Sequence, residues 1–126
     1  MNLLAVGVVA LGGAIGSAAR YLLSSLMLHV SAGQFPLGTF VVNVIGCGVF
    51  GALAGAASGR LSLTPEVRLF LFTGILGGFT TFSSYAFESV VLIRDGQFLA
   101  ASINIAGQVV IGLVTLGFAY SVAANH

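Results

Sequence analysis

The 126-residue chain is 58% hydrophobic and 6% charged, with a mean hydropathy of +1.12. Soluble domains carry about 25% charged residues, so this chain cannot cover its apolar surface with polar side chains. Its charge comes from four arginines, no lysine and three acidic residues, with no basic cluster, which gives no support to nucleic-acid binding. The composition predicts an integral membrane protein.

Four apolar segments are long enough to cross a bilayer, which takes about 20 mostly apolar residues. The polar, Gly-containing or Pro-containing stretches between them are typical of turns. We therefore predict an all-α integral membrane protein, with a single four-helix domain over residues 1–126. The predicted spans are approximately residues 3–27, 37–57, 67–93 and 98–124.

Signals for enzymatic chemistry are weak. The motif Gly46-Cys-Gly-Val-Phe-Gly51 matches a dinucleotide-binding fingerprint, but it lies inside an apolar span with no preceding strand, so we reject it. The single cysteine, Cys47, is expected to be a small buried hydrophobe. The two histidines and three acids show no metal-ligand spacing and no catalytic triad. We therefore expect that the protein is not an enzyme.

The arginines are balanced across the predicted membrane. Arg60 and Arg68 fall on the side of the two termini, and Arg20 and Arg94 fall toward the other side. Orientation is normally set by an excess of Lys and Arg on one side. Without that excess, insertion in both orientations is expected, and the natural oligomer is an antiparallel, dual-topology homodimer. The alternative is that a partner or another signal fixes one orientation.

The third span contains the least helix-like stretch, Gly74-Ile-Leu-Gly-Gly-Phe-Thr-Thr-Phe-Ser-Ser-Tyr-Ala-Phe-Glu88. Each of Gly77 and Gly78 costs about 1 kcal/mol of helix propensity relative to Ala, which predicts a break at this pair in mid-span. Carbonyls freed by a break must be buried in protein or bind something. Carbonyls from two antiparallel copies are suited to a hard cation such as sodium.

After the predicted break, Phe79, Phe82, Tyr85 and Glu88 recur every third residue. Such a row is usual for packing, but here hydroxyl residues are interleaved with it. Hydroxyls and the positively polarised edges of aromatic rings offer weak donors to a small anion, and weak binding permits conduction. Other polar residues at membrane depth mark either an ion route or interhelical contacts. They are Arg20, Asn43, Asn104, Gln108 and Thr115. For Asn104, Gln108 and Thr115 both alternatives stay open.

Three motifs resemble those of the Fluc (CrcB) fluoride channels. They are Gly74-x-x-Gly-Gly-x-Thr-Thr-Phe-Ser-x-Tyr-x-x-Glu88, Gly38-Thr-x-x-x-Asn43 and Gly12-Gly-x-x-Gly-x-x-x-Arg20. The resemblance extends over all four spans. It implies a multi-pass protein of the bacterial inner or plasma membrane that exports fluoride passively, and a dual-topology homodimer with two pores and one structural sodium ion.

The resemblance also implies roles for particular residues. Carbonyls of Gly77 and Thr80 would bind the sodium ion, and the family's phenylalanine pair falls on Phe82 and Tyr85. The tyrosine is a departure, and its hydroxyl is expected to add a donor that alters anion residence or selectivity. The remaining pathway residues that the resemblance implies are Asn43, Arg20 near the vestibule, and the polar residues Thr81, Ser83, Ser84 and Glu88.

Two other functions compete with fluoride conduction. A small dual-topology drug/proton exchanger has a similar size and charge balance, but such exchangers need a carboxylate in the first span, and residues 3–27 contain none. A packing or assembly subunit would leave the Gly77-Gly78 pair and the hydroxyl run without a purpose.

Overall fold

A computed structural model describes all 126 residues, and every regular element in it is helical. The four long, apolar segments confirm the predicted all-α membrane class, because each is long and apolar enough to cross a membrane. The third segment, Pro65–Arg94, is built from several pieces. The elements are α1 (Leu3–Ser31), α2 (Leu37–Ala57), α3 (Pro65–Arg68), a π-helical segment (Leu69–Leu76), α4 (Gly77–Phe79), α5 (Phe82–Arg94) and α6 (Phe98–Ala124).

Local sequence signals explain where the helices begin and end. The Asn2 side chain accepts a hydrogen bond from the Leu4 N–H at 2.9 Å and caps α1. Thr64 caps α3, with Pro65 in the first helical position, where its missing N–H costs nothing. Gly96, with φ of +73°, forms the tight connection between α5 and α6. The first helix continues four residues beyond the predicted limit at residue 27.

Glycines allow α1 to lie directly against the third segment. A Cβ atom on Gly12 would stand 2.6 Å from the Phe70 carbonyl oxygen, and one on Gly16 would overlap the Ile75 carbonyl oxygen. From the other side, a Cβ on Gly78 would stand 2.7 Å from the Gly13 carbonyl oxygen. Small residues permit this approach, which holds helices together in lipid, where apolar burial gives little driving force.

A second glycine row joins α2 to α6. Added Cβ atoms on Gly51 and Gly55 would overlap the carbonyl oxygens of Leu116 and Tyr120. The rejected dinucleotide fingerprint ends at Gly51, so part of that motif is explained by helix packing. Gly46, at its other end, leaves room for the Thr80 methyl group, which an added Cβ would overlap.

The third segment is interrupted at Thr80 and Thr81, and not at Gly77-Gly78 as predicted. Gly77–Phe79 is still helical, whereas Thr80 (φ −82°, ψ 157°) and Thr81 (φ −150°, ψ 117°) are extended. The predicted position was wrong because Gly78 serves close approach to α1. The interruption depends instead on capping, since the Thr81 hydroxyl accepts from the Ser84 N–H at 3.2 Å and starts α5.

The single chain buries little of itself. Only 16 of the 126 residues are buried, and many large apolar side chains on the outer faces of the helices are exposed. Exposure of so much apolar surface to water is unfavourable, whereas a bilayer or another apolar surface covers it without this cost. The exposed apolar surface agrees with the predicted membrane location.

Candidate functional site

The interruption of the third segment is held open by Asn43 of α2. The Asn43 side-chain Oδ1 accepts from the Thr81 N–H at 2.9 Å, and its Nδ2 donates to the Thr81 carbonyl at 3.0 Å. Both backbone groups of Thr81 are therefore paired. Because lipid cannot satisfy such groups, this two-point contact makes an extended residue tolerable within a membrane-spanning segment.

Hydroxyl groups cluster at the first turn of α5. Thr81 is buried, and its Oγ1 donates to Ser84 Oγ at 3.2 Å. Ser83 Oγ lies 3.4 Å from the same Thr81 oxygen and is exposed on the surface of the single chain. Three hydroxyls of the predicted run thus form one connected group beside Asn43, whereas the fourth, on Thr80, donates to the Leu76 carbonyl at 2.9 Å.

A groove of about 270 Å³ opens next to these groups. Its lining is formed by Asn43, Gly46, Cys47, Phe50, Thr80, Thr81, Phe82 and Leu116. Phe82 is 78% exposed, so it projects from the surface of the single chain. The structure thus combines an amide, hydroxyls and an aromatic ring in one concave site.

Phe82 and Tyr85 form the predicted aromatic pair, with ring centroids 5.5 Å apart and planes inclined by 46°. The Tyr85 hydroxyl donates to the Ile105 carbonyl of α6 at 2.9 Å. The only hydrogen of this hydroxyl is therefore already bonded in the structure and is not free for an anion. It ties α5 to α6 instead.

Glu88 lies about one turn beyond Tyr85 on α5, at the edge of a second, larger cavity of about 540 Å³. Thr39 of α2 donates to Glu88 Oε1 at 2.8 Å, and Glu88 Oε2 is buried without a partner. The cavity is also lined by Asp95 and by serines of α1 at the end of the molecule where the first and third connectors lie. Glu88 is thus separated from the groove at Asn43.

A chain of hydrogen-bonded polar side chains runs behind the groove, and we call Asn43, Gln108, Asn104 and Ser89 the amide ladder. Asn43 Nδ2 donates to Gln108 Oε1 at 2.7 Å, Gln108 Nε2 to Asn104 Oδ1 at 2.8 Å, and Asn104 Nδ2 to Ser89 Oγ at 2.9 Å. Asn104 and Gln108 are both buried, and each makes one hydrogen bond to another part of the helix bundle, to Ser89 and Asn43 respectively.

Three other predicted residues lie apart from the groove. Arg20 is half-buried on α1 and lines neither the groove nor the cavity at Glu88. Gly77 is exposed on α4, while Thr80 reaches the groove. Thr115 packs its methyl group near Gly48 of α2 and does not join the amide ladder.

Sequence reasoning gave no role to Ser89, and it gave none to Thr39 beyond its place in the motif Gly38-Thr-x-x-x-Asn43. Thr39 stands four residues before Asn43, so the two share a face of α2, and this spacing could have identified it. Ser89 donates to the Tyr85 carbonyl at 2.7 Å, a local bond common for serine in helices, and nothing in its sequence context indicated a partner on α6.

The fold and the site define a multi-pass integral membrane protein with a polar site built at an interrupted helix. Its polar groups come from α2, α5 and α6, and they meet within segments otherwise apolar enough to lie in lipid. Polar groups at this depth are a mark of substrate or ion routes in membrane proteins.

Comparison with known proteins places the chain more narrowly. The family described as CrcB-like protein, Camphor Resistance (CrcB), matches residues 7–120. A protein of Methylobacillus flagellatus named fluoride-specific ion channel FluC is 53% identical over 116 residues, covering 90% of this chain and 91% of that protein. A protein of the same name from Nitratidesulfovibrio vulgaris is 49% identical, covering 84% of this chain and 86% of that protein. Another, from Chlorobium phaeobacteroides, is 52% identical, covering 86% of this chain and 83% of that protein. The chain belongs to the CrcB family, which confirms the resemblance seen in its motifs.

Proposed function

We propose that this protein is a fluoride channel that lets fluoride leave the cell passively and so limits its toxicity. The observation that carries the proposal is the groove at Asn43, Thr81 and Phe82, found in a chain about half identical to proteins named fluoride-specific ion channels. Channels catalyse no reaction, which agrees with the lack of a catalytic set in the sequence.

The conducting unit is an antiparallel homodimer with two pores. The balance of arginines, two toward each side, supports insertion in both orientations. The exposure of Phe82 and Ser83 supports a second copy. In a single chain the Ser83 hydroxyl would face lipid, where polar groups are costly. The groove beside Phe82 would then also be walled by protein on one side only. The remaining exposed apolar side chains are covered by lipid.

Along the proposed pathway, fluoride exchanges part of its hydration shell for donors on the protein. Asn43 and the hydroxyls of Thr81, Ser83 and Ser84 supply the polar contacts, and the rings of Phe82 and Tyr85 present polarised edges. Glu88 borders the cavity at one end of the route, and Arg20 raises the local anion concentration through its field.

A structural sodium ion fits the interruption. In a helix the Gly77 and Thr80 carbonyls would accept from the N–H groups of Thr81 and Ser84. Those N–H groups bond instead to Asn43 Oδ1 and Thr81 Oγ1, which leaves the two carbonyls available as hard oxygen ligands. A bound cation would neutralise carbonyl dipoles from both copies. Replacement of sodium by choline is then expected to lower the melting temperature of the purified dimer.

The competing drug/proton exchange function has less support. Such an exchanger needs a membrane-embedded carboxylate in its first span, and α1 contains neither Asp nor Glu. The relatives found by comparison carry the channel name.

Efflux from liposomes tests the proposed function. Vesicles containing the purified protein are loaded with fluoride and chloride, a potassium ionophore is added, and ion-selective electrodes record both anions. Rapid fluoride loss with chloride retained is the expected result. Retention of both anions by vesicles that contain folded protein would contradict fluoride conduction.

A further inference from the structure

The Asn43 side chain has no free donor in this structure. A side-chain amide carries two N–H hydrogens and one carbonyl oxygen. The two Nδ2 hydrogens go to the Thr81 carbonyl at 3.0 Å and to Gln108 Oε1 at 2.7 Å, and Oδ1 accepts from the Thr81 N–H. An anion that binds Asn43 must therefore displace an acceptor that is already in place.

The amide ladder fixes which atom Gln108 presents to Asn43. At its far end Ser89 donates to the Tyr85 carbonyl, which can only accept, so Ser89 Oγ accepts from Asn104 Nδ2. Asn104 then offers its Oδ1 to Gln108 Nε2, and Gln108 must turn Oε1 toward Asn43. Every donor in the ladder points the same way, and reversing one amide would break two bonds.

Burial makes this arrangement hard to change. Asn104 is 0% exposed and Gln108 is 7% exposed, so water cannot replace a lost partner at either residue. A buried amide left unpaired carries a larger penalty than the net gain from a typical hydrogen bond. Gln108 is thus held in position by the residues behind it as well as by Asn43.

We propose that Gln108 is a positioning residue that weakens the hold of Asn43 on the permeating ion. This inference rests on the proposed function. Gln108 Oε1 competes with the anion for one Asn43 hydrogen, and its bond is the shorter of the two that Nδ2 makes. When the anion takes this hydrogen from Gln108, its net gain is the difference between its own bond to Asn43 and the bond of Gln108 to Asn43. The anion therefore binds weakly and leaves quickly, as conduction requires.

Replacement of Gln108 by methionine tests the proposal. Methionine has a similar length and no amide, so Gln108→Met frees one Asn43 hydrogen. The fluoride concentration that gives half-maximal flux into liposomes is expected to fall roughly threefold to tenfold, the range that one net hydrogen bond supplies. Maximal flux is expected to fall as well, because the ion leaves more slowly.

Ser89→Ala is the matched control. It damages the same ladder at the far end, where Asn104 Nδ2 loses its acceptor, but it keeps the bond between Gln108 and Asn43. Both variants leave one buried polar atom unpaired, so their melting temperatures should fall by similar amounts. Only Gln108→Met should move the half-saturation concentration.

The outcomes separate this inference from the proposed function. An unchanged half-saturation concentration in Gln108→Met, or an equal shift in Ser89→Ala, would overturn the role of Gln108 while fluoride conduction stands. Absence of flux through the unaltered protein would overturn the proposed function itself. If Gln108→Met does not fold, the double variant Gln108→Met, Asn104→Leu removes both partners, and the same shift is expected from it.

Discussion

At the scale of single residues, the two aromatic side chains of α5 differ in what they contact. The Tyr85 hydroxyl is bonded to the Ile105 carbonyl on α6, whereas the Phe82 ring projects from the chain beside the groove at Asn43. A sequence comparison treats them as one pair. The structure instead assigns the Tyr85 hydroxyl to helix packing and leaves only its ring edge near Phe82.

We predict opposite results for substitutions at these two positions. Tyr85→Phe keeps the ring and removes only the bond to α6, so fluoride flux should stay within about twofold, while stability falls by about 1 kcal/mol, the typical net value of one hydrogen bond. Phe82→Ile removes the polarised ring edge and should reduce flux greatly while the protein stays folded. Liposome flux and thermal unfolding check both. A strong loss of flux in Tyr85→Phe would show that the Tyr85 hydroxyl takes part in the pathway.

At the scale of elements, glycines determine how α1 contacts the third segment. Gly16 has no room for a Cβ atom beside the Ile75 carbonyl, but Gly7 on the same helix has nothing within 4 Å of an added Cβ. The contact site depends on backbone approach, and the gain comes from van der Waals packing between the two segments. Gly78, two residues before the interruption, also lies in this contact.

Gly16→Ala is expected to destabilise the protein by about 1–3 kcal/mol, the usual cost of adding a group to a tightly packed site. Gly7→Ala is the control on the same helix, and it should be neutral or slightly stabilising because alanine favours helix. Thermal unfolding in detergent compares the two. Equal melting temperatures would mean that the contact between α1 and the third segment does not contribute to stability.

At the scale of the whole molecule, the charge balance gives an expectation about orientation. The connector that contains Ser62 lies on the side of the termini, and the connector that contains Gln34 lies on the opposite side. Each is exposed, so each can carry a reporter cysteine. A chain inserted in a single orientation presents only one of these connectors to the outside.

We predict that Ser62→Cys and Gln34→Cys, each in a Cys47→Ser background, react to the same extent with a membrane-impermeant thiol reagent added to intact cells. About half of the copies should be labelled in each variant, because both orientations are populated. Labelling of one variant alone would show a single orientation and exclude an antiparallel dimer as the main form.

Much of the architecture could be predicted from the sequence, because the bilayer requires long apolar segments and the connectors are marked by glycine, proline and charge. The location of the interruption could not. Glycine propensity favours Gly77-Gly78, but the result depends on tertiary contacts of Gly78 with α1 and of Thr81 with Asn43. The π-helical segment Leu69–Leu76 likewise has no sequence signal of its own.

The site was predictable where residues belong to the motifs, and less so where partners come from distant helices. Asn43, Thr81 and Phe82 were expected together and line one groove. The hydrogen bond from Asn43 to Gln108 joins residues that are 65 positions apart and forms only where α2 and α6 meet, so no local sequence pattern predicts it. Pairing of buried polar groups is a property of the packed molecule.

The interruption at Thr80 and Thr81 also has an electrostatic consequence. A helix concentrates about half a negative charge at its carbonyl end and half a positive charge at its amide end. The break brings a carbonyl end, at Phe79, and an amide end, at Phe82, into the middle of an apolar segment. A chain with 6% charged residues thereby places two opposite poles inside a segment that is apolar enough to cross a membrane. Because these poles belong to the backbone, they do not titrate, and no single change of side-chain charge removes them.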